Sequence, residues 1–471
     1  MSIRLFCHAV FCLLLLTCPL RAAEPVQLGT RLELFVDDFL IEKMNGDVSH
    51  HLHRPEPKEV VLVTDEPWEG NTCAYYTIFR DGDLYRMYYR GSHHQEETKK
   101  AGHPEVTCYA ESKDGVHWIK PNLGLFEFDG SKENNIVWDG IGTHNFVAFK
   151  DTNPDCPKEA KYKGMARGRP RGKRGLYIYQ SADAINWNLM RDEPVITKGK
   201  FDSQNLAFWD DHANIYREYH RTFVNGKRAI MTGTSKDYVT WTEPVLLKYP
   251  ETPAEHLYTN AVLPYPRTPH ILIGFPTRYL PNERQRVEPI FMASRDGVTF
   301  RRWLEPVIPE SAPQDRRGNR SNYMGWGLVE LPDRPDHYSV YATEAYYTGP
   351  DSRLRRFEYR KDGFVSIRAG DDGGELITKP FVLNEMAERL KVNFKTNDGG
   401  TVRVGLETAD GKPIAGYEIN NCVPLSGDHI QRNVAWKNGS DLNSLEGKTV
   451  RLRFQLKKAD LYSLQLQPWL P

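Results

Sequence analysis

Tyr109-Ala-Glu-Ser112-Lys-Asp114-Gly115-Val-His-Trp118 is the stretch on which the reading of this chain turns. An alternating strand runs into a tight Asp-Gly turn, and an aromatic residue three positions on packs back over the corner. Ser112 and Asp114 are the side chains that can bond turn backbone groups otherwise left orphaned. Degraded copies follow at Tyr179-Gln-Ser181-Ala-Asp183 to Trp187, Thr234-Ser235-Lys-Asp237 to Trp241, and Ala293-Ser294-Arg-Asp296-Gly297 to Phe300. A fifth and weaker copy is Tyr359-Arg-Lys-Asp362-Gly363-Phe364. From Asp114 through Asp183, Asp237 and Asp296 to Asp362 the intervals are 69, 54, 59 and 66 residues. One such turn is common; five at near-regular spacing are a repeat. The motif residues are therefore structural and carry no chemistry.

A repeat of about 60 residues suits one four-stranded sheet with its loops, the blade of a β-propeller. Two further strand-like runs precede each turn, as in Thr72–Arg80 and Leu84–Arg90 around Asp81-Gly82-Asp83. No helical period appears along residues 31–370, the span expected to form a five-bladed propeller. After about Gly373 the texture changes to alternating strands broken by Asp398-Gly399-Gly400, Asp410-Gly411 and Glu446-Gly447. A C-terminal β-sandwich over 375–471 is expected, making the chain all-β. The 471 residues would also suit about three domain-sized units, and a large propeller with one appended module fits equally well.

Composition agrees with this. Hydrophobic residues are 39%, charged residues 26% and aromatics 11%, too apolar for a disordered chain. Ten Trp, 24 Tyr and 20 Phe favour β structure and supply flat faces for gripping a ligand. With 62 basic and 62 acidic residues there is no positive excess to hold a polyanion, which argues against nucleic acid as a partner.

Residues 1–23 read as a signal peptide: Arg4 is the n-region, Leu5 to Thr17 the apolar stretch, and Ala22-Ala23 the small-residue exit. Secretion or a periplasmic location follows; a lipid anchor at Cys18 and a retained membrane anchor are the weaker alternatives. Of seven cysteines, Cys73, Cys108, Cys156 and Cys422 lie beyond the leader, without CxxC spacing. Export permits a disulfide, pairing is not readable, and buried structural thiols are the default.

In a propeller, innermost strands start at one mouth of the central channel and second strands end there, so side chains from several blades can converge on one point. First-strand starts carry Glu69 and Asn71, His144-Asn145, Asp202 with Gln204 and Asn205, Glu255-His256 to Asn260, and Arg320 to Asn322. Second-strand ends carry Arg90, Arg167, Arg221, Arg278 and Glu344. Asp202 is the leading candidate, flanked by Phe201 and two amides as a sugar-gripping carboxylate would be. Hydrolysis of a glycosidic bond generally needs two carboxylates, and Glu344 or Glu255 is the expected partner, with Glu69 behind them. Arg278, Arg320, His144, His256 and Asn260 are expected to orient substrate. Asp37 and Asp38 are further candidates, of which strand alternation lets at most one face the channel. His50, His51 and His53 lack a carboxylate pattern for a metal site, and there is no phosphate-binding glycine loop or G-x-S-x-G elbow. No cofactor is expected; a structural cation in the channel is left open.

Five S-x-D-G-x-x-W-type turns followed by a β-sandwich resemble the five-bladed glycoside hydrolases of families 32, 43 and 117. The resemblance covers residues 31–370 and 375–471, and is most family-32-like from Thr378-Lys-Pro-Phe381 to Asp460-Leu-Tyr462-Ser463. It implies acidic residues on innermost strands around a central pocket and action on an oligo- or polysaccharide. The family-32 motif W-x-N-D-P-N-G is absent, Trp68-Glu69-Gly70-Asn71-Thr72-Cys73 standing in its place, and neither R-D-P nor E-C-P occurs where His144-Asn145 and Asp202-Ser203 stand. Fructosidase activity is therefore not implied, and no catalytic residue transfers by motif. His144 is similar in type to the histidine acid of family 117. The expectation is an exported glycoside hydrolase working through paired carboxylates. Its rivals are a non-catalytic glycan-binding propeller, a sialidase-like enzyme, and a glycoside phosphorylase holding phosphate on Arg278, Arg286 and Arg320.

Overall fold

Strands carry the regular structure throughout, in keeping with the alternating, aromatic-rich sequence. The computed structural model describes residues 24–309 and 322–468, which contain no α-helix and four single 3-10 turns. The expected leader at 1–23 and Arg320 lie outside the described residues. No helix among the described residues is long and apolar enough to cross a membrane.

Successive antiparallel sheets follow the repeat. The first comprises Ala74–Asp81, Leu84–Gly91 and Val106–Ser112, with Ile136–Trp138 and Trp118–Ile119 beyond. The second is Val147–Lys150, Tyr162–Gly168, Gly175–Ser181 and Asn188–Leu189; the third is Leu206–Asp210, Ile215–Val224, Lys227–Ser235 and Val245–Leu246. The fourth is Leu263–Pro264, Leu272–Gly274, Met292–Ser294 and Phe300–Arg302. It continues as a separate small sheet of His256–Leu257, Thr277–Leu280 and Arg286–Pro289. Pro276 and Pro289 stand at the break, where a residue without an N–H cannot extend a ladder. The fifth pairs His337–Glu344 with Arg353–Arg360, and its outer strand, Glu56–Val63, comes from the other end of the chain.

Four of the five turns have the expected chemistry. In the first, Ser112 Oγ accepts from the Gly115 N–H at 2.9 Å, and Asp114 accepts from the N–H groups of Val116 and His117 at 2.8 Å. Ser181/Asp183, Ser235/Asp237 and Ser294/Asp296 repeat the arrangement. The carbonyl that follows the aspartate then serves as a clamp between sheets. Tyr88 of the first sheet donates to Ala184 O of the second, Tyr219 of the third to Gly297 O of the fourth at 2.9 Å, and Tyr341 of the fifth to Gly115 O of the first at 2.7 Å. Each such bond contributes about 1 kcal/mol. Trp326 bridges to Thr77, joining the inner edges of the fifth and first sheets.

The fifth turn departs from the pattern. Asp362 is fully buried and accepts from Tyr265 Oη at 2.6 Å, Asn393 Nδ2 at 2.9 Å, Ser463 Oγ at 2.6 Å and Arg267. It ties the fourth sheet to the C-terminal one.

That C-terminal sheet has seven strands, in the order Ile41–Leu52, Val365–Thr378, Thr449–Gln467, Arg389–Thr408, Asp428–Asn433, with Leu32–Leu34 and Phe381–Val382 also paired to Thr449–Gln467. Its long strands shift register between Ala369 and Gly374 and between Thr396 and Thr401, and enclose a core that includes Phe394, Trp436 and Phe454. Gly46 has φ +78, and a Cβ there would meet Gly373 O at 2.9 Å, so the strand crossing needs glycine. Residues 31–52, expected within the propeller, pair instead with this sheet. Their partners lie more than 300 positions downstream, which local alternation cannot reveal. Asp37 and Asp38 accordingly sit at the seam with the fourth sheet, on Arg295 at 2.7 Å and Arg301 at 3.0 Å, not at a channel mouth.

Candidate functional site

A buried asparagine stands one to three residues ahead of the first strand in each of the first four sheets, at Asn71, Asn145, Asn205 and Asn260, and a fifth, Asn322, reaches Thr343 O at 3.5 Å near the end of His337–Glu344. Their amides hold backbone. Asn145 Nδ2 donates to Phe201 O at 2.7 Å while its Oδ1 accepts from the Arg167 N–H at 2.9 Å, and Asn205 closes the same loop on Phe201 O and Ser203 O at 3.0 Å. Gln204 donates to Tyr76 O at 3.1 Å, and Asn260 reaches Gln204 O and Tyr219 O at 3.4 Å. The amides beside Asp202, expected to grip sugar, are thus structural, and so is Asn260. Their effect is to lock the 201–205 loop so that Asp202 stands out from it.

Asp202, its side chain half exposed, accepts from His144 Nε2 at 2.7 Å. The other ring nitrogen, Nδ1, lies 2.8 Å from Glu105 Oε2. Nδ1 also lies 3.4 Å from Arg90 Nη1, so the ring is fixed between the two carboxylates and that guanidinium. Three guanidiniums flank this bridge: Arg90 at 3.4 Å from Glu105, Arg167 at 3.3 Å and Arg221 at 3.8 Å from Asp202. The His144 hydrogen bond, then the charges of His144, Arg167 and Arg221, hold the Asp202 carboxyl well below the ordinary range against its partial burial. Burial pushes Glu105 up, but His144 and Arg90 outweigh it, and its carboxyl too is held low.

Tyrosines complete the mouth. Tyr75 has φ +59, a left-handed conformation that costs about 1–2 kcal/mol in a residue bearing a Cβ. Its ring lies 5.7 Å from that of His144, with the Arg90 guanidinium 4.9 Å from its centroid. Arg90 also donates to Tyr346 Oη at 3.0 Å, and Tyr346, Tyr323 and Tyr258 follow edge to face at 5.6 Å each. Burial pushes the Tyr75, Tyr323 and Tyr346 hydroxyls up and keeps them as phenols, contrary to what a tyrosine nucleophile needs. The first, second, third and fifth sheets, and the loop entering the fourth, all contribute.

The other expected residues lie elsewhere or are otherwise engaged. Glu344 is fully buried, 2.9 Å from Arg353 and 2.7 Å from Arg355, with no route to substrate. Glu255 pairs with Arg302 at 2.8 Å and Arg278 at 3.3 Å. Arg278 and Arg286 both bind Glu288, so neither offers a vacant guanidinium for phosphate. Glu69 is buried on Lys120 at 2.7 Å and Tyr89. His256 accepts from the Arg228 N–H at 3.3 Å beside Tyr279, at the edge of the mouth.

Glu105 is not among the sequence candidates, since it stands at neither a first-strand start nor a second-strand end. A third strand also starts at that mouth, and Glu105 directly precedes Val106–Ser112. Extending the same rule by one strand finds it.

No family model matches the chain. Two uncharacterized proteins of Mycobacterium tuberculosis are 28% identical over 153 residues, 31% of this chain and 44% of theirs, so the match spans less than half of those curated relatives. Among solved structures, an N-acetylgalactosamine deacetylase from F. plautii in complex with blood group B trisaccharide is similar at TM-score 0.47 and 11% identity, over 67% of this chain and 96% of that one. A thermostable family-43 glycoside hydrolase is similar at TM-score 0.46 and 13% identity, over 66% and 95%. A beta-1,2-mannobiose phosphorylase from Listeria innocua is similar at 0.45 and 12%, over 67% and 97%.

Proposed function

We propose that the five repeat sheets close into a five-bladed propeller braced by a C-terminal β-sandwich, and that the chain is an exported glycoside hydrolase working at the Asp202 mouth. The observation that carries this is the Glu105–His144–Asp202 bridge, an imidazole held between two carboxylates of which Asp202 is half exposed, on rigid loops. In this reading the hydrogen-bonded His144–Asp202 pair is one acid/base unit on one side of the sugar: it gives a proton to the leaving glycosidic oxygen as the C–O bond breaks, and takes one back from the water that adds to the sugar carbon in its place. The pair is thereby returned to its starting state, with the leaving group released as the free alcohol. Glu105 is a positioning residue that fixes the imidazole from behind. The partner of Asp202 is thus His144, and Glu344 and Glu255 leave the catalytic set. The aromatic mouth supplies flat faces for sugar rings. Export rests on the leader at 1–23.

The test is reducing-sugar release from a panel of polysaccharides and aryl glycosides by the purified chain and by Asp202→Asn and His144→Gln. Turnover that either variant lowers by about a hundredfold or more, with an unchanged melting profile, is the expected result. Turnover that survives both substitutions overturns the assignment. Binding of one glycan without any turnover replaces it by the non-catalytic propeller, and turnover that requires phosphate replaces it by the phosphorylase.

A further inference from the structure

The charges around the mouth do not cancel. Four guanidiniums, those of Arg90, Arg167, Arg221 and Arg228, surround two carboxylates, Glu105 and Asp202, before His144 is counted. Arg90 and Arg167 have close carboxylate partners, whereas Arg221 reaches Asp202 only at 3.8 Å. Arg228 has no carboxylate within ion-pairing distance among the described residues, and its Nε is buried without a hydrogen-bond partner. Glu255, next to the His256 that accepts from the Arg228 N–H, is taken by Arg278 and Arg302.

Packing holds these two guanidiniums together. Both stand against the Tyr258 ring, Arg221 at 4.9 Å and Arg228 at 4.8 Å from its centroid, and both against Phe223, at 5.4 and 5.5 Å. Tyr279 adds a second face to Arg228 at 4.4 Å. They lie on the two strands of the hairpin joining Ile215–Val224 to Lys227–Ser235, whose tip reaches beyond the start of the first strand of that sheet at Leu206. Arg221 Nε donates to Lys200 O at 3.2 Å and Arg228 Nη1 lies 3.5 Å from His256 Nδ1, while aromatic stacking satisfies the flat faces of both guanidiniums and leaves their remaining N–H groups as donors for an oxyanion. Like charges held this close repel, so an anion between them is favoured over an empty site.

We infer that Arg221 and Arg228 form an anion subsite beside Asp202, and that the glycan taken by this mouth carries an acidic group, a uronate carboxylate or a sulfate ester. The inference rests on the reading of the mouth as a glycan site and gives it a substrate class. The neutral overall composition hid it, because the excess is local.

Calorimetric titration of the purified chain tests it with glucuronate-, galacturonate- and sulfate-bearing oligosaccharides, each beside its methyl-esterified or desulfated twin, and with inorganic phosphate alone. The expected result is an acidic ligand bound about tenfold or more tightly than its twin, the preference abolished in Arg228→Gln and partly kept in Arg228→Lys, with melting unchanged. The uronate and sulfate arms tell the two sources apart. Equal binding of neutral twins, a preference that survives both Arg228→Gln and Arg221→Gln, or binding of phosphate alone overturns it; so does the absence of any acidic ligand. Asp202-dependent hydrolysis of neutral glycans without an acidic preference ends this inference and leaves the hydrolase standing. An acidic preference lost in Arg228→Gln, with no turnover of any glycan, keeps the anion subsite and removes the hydrolase.

Discussion

Glu33→Gln is the substitution whose cost can be worked most directly from the structure. Glu33 lies on Leu32–Leu34, which pairs with the C-terminal sheet, and its side chain points across the seam into the fourth repeat sheet. There it meets Arg295 NH1 at 2.8 Å and His270 Nε2 at 3.1 Å, with Arg31 beside it and Asp37 sharing Arg295. Burial pushes its carboxyl up, but His270, Arg295 and Arg31 prevail and bring it from 4.5 down to about 2. A carboxyl depressed in the fold favours the fold when ionised. Its contribution is therefore complete above about pH 4.5 and is lost as pH falls through 2. At neutral pH it is worth about 3 kcal/mol, and at pH 3 about 1.4 kcal/mol. The residue is 1% exposed, so solvent screening does not reduce this. Urea unfolding followed by tryptophan fluorescence, wild type beside Glu33→Gln at pH 7, 4 and 3, should show a gap of about 3 kcal/mol that narrows by half or more. A gap under 1 kcal/mol at pH 7, or one that stays constant down to pH 3, would refute the reasoning.

Glu344→Gln should cost about 3–5 kcal/mol of stability by removing a fully buried carboxylate from Arg353 and Arg355, while turnover per folded molecule stays within about twofold; thermal unfolding with sugar release from the same preparation measures both. Asp362→Ala should destabilise by about 3 kcal/mol or more, since it strands four donors from three parts of the chain, whereas the exposed turn variant Asp237→Ala should cost about 1 kcal/mol. The free thiols of Cys73, Cys108 and Cys422 are buried and their ionisation is pushed up by burial, Cys73 to about 12. A disulfide reagent should therefore titrate Cys156 first and the other three only in denaturant; fewer than four thiols in the unfolded, unreduced chain would contradict this.

What was legible in the sequence was local. The Ser-x-Asp turn writes its own hydrogen bonds within six residues, so four copies read correctly from spacing alone. Asp362 reads the same in sequence, yet its oxygens are claimed by Tyr265, Asn393 and Ser463, residues 97, 31 and 101 positions away. No local pattern carries that. The N-terminal strands failed for the same reason, since Leu32–Leu34 is completed only by residues 463–465. At the site, rim position found Asp202, His144, Arg90, Arg167 and Arg221, because strand ends are set by the repeat. Position alone could not separate Asp202 from Glu344: both are acids at strand ends. Glu344 sits opposite Arg353 in the ladder and is neutralised by its neighbours, whereas Asp202 lies in a loop that three buried amides hold open to solvent.

Arg90 and Tyr346 are 256 positions apart and hydrogen-bonded at 3.0 Å, one in the first sheet and one just past the end of a strand of the fifth. This contact, the Tyr341–Gly115 clamp and the Thr77–Trp326 bridge join the same two sheets, and the fifth is finished by the strand Glu56–Val63 that immediately precedes the first. The orientation of Arg90 over Tyr75, and through Glu105 the orientation of His144, thus depends on the meeting of two sheets far apart in the chain. Loosening the Glu56–Val63 strand would reach the His144 imidazole without touching a residue of the mouth, since Arg90 would lose Tyr346 while keeping its bond to Thr72 O. The asparagines then explain why each sheet delivers its side chain at the right height. A buried amide has no water to fall back on, so leaving its backbone partner costs about 1–3 kcal/mol, and four of them set the starts of four strands while Asn322 ties to the fifth sheet at Thr343. Ring contacts hold the lateral spacing, buried amides hold the depth, and the few groups that neither constraint consumes, Asp202 and His144 among them, are left to face the mouth.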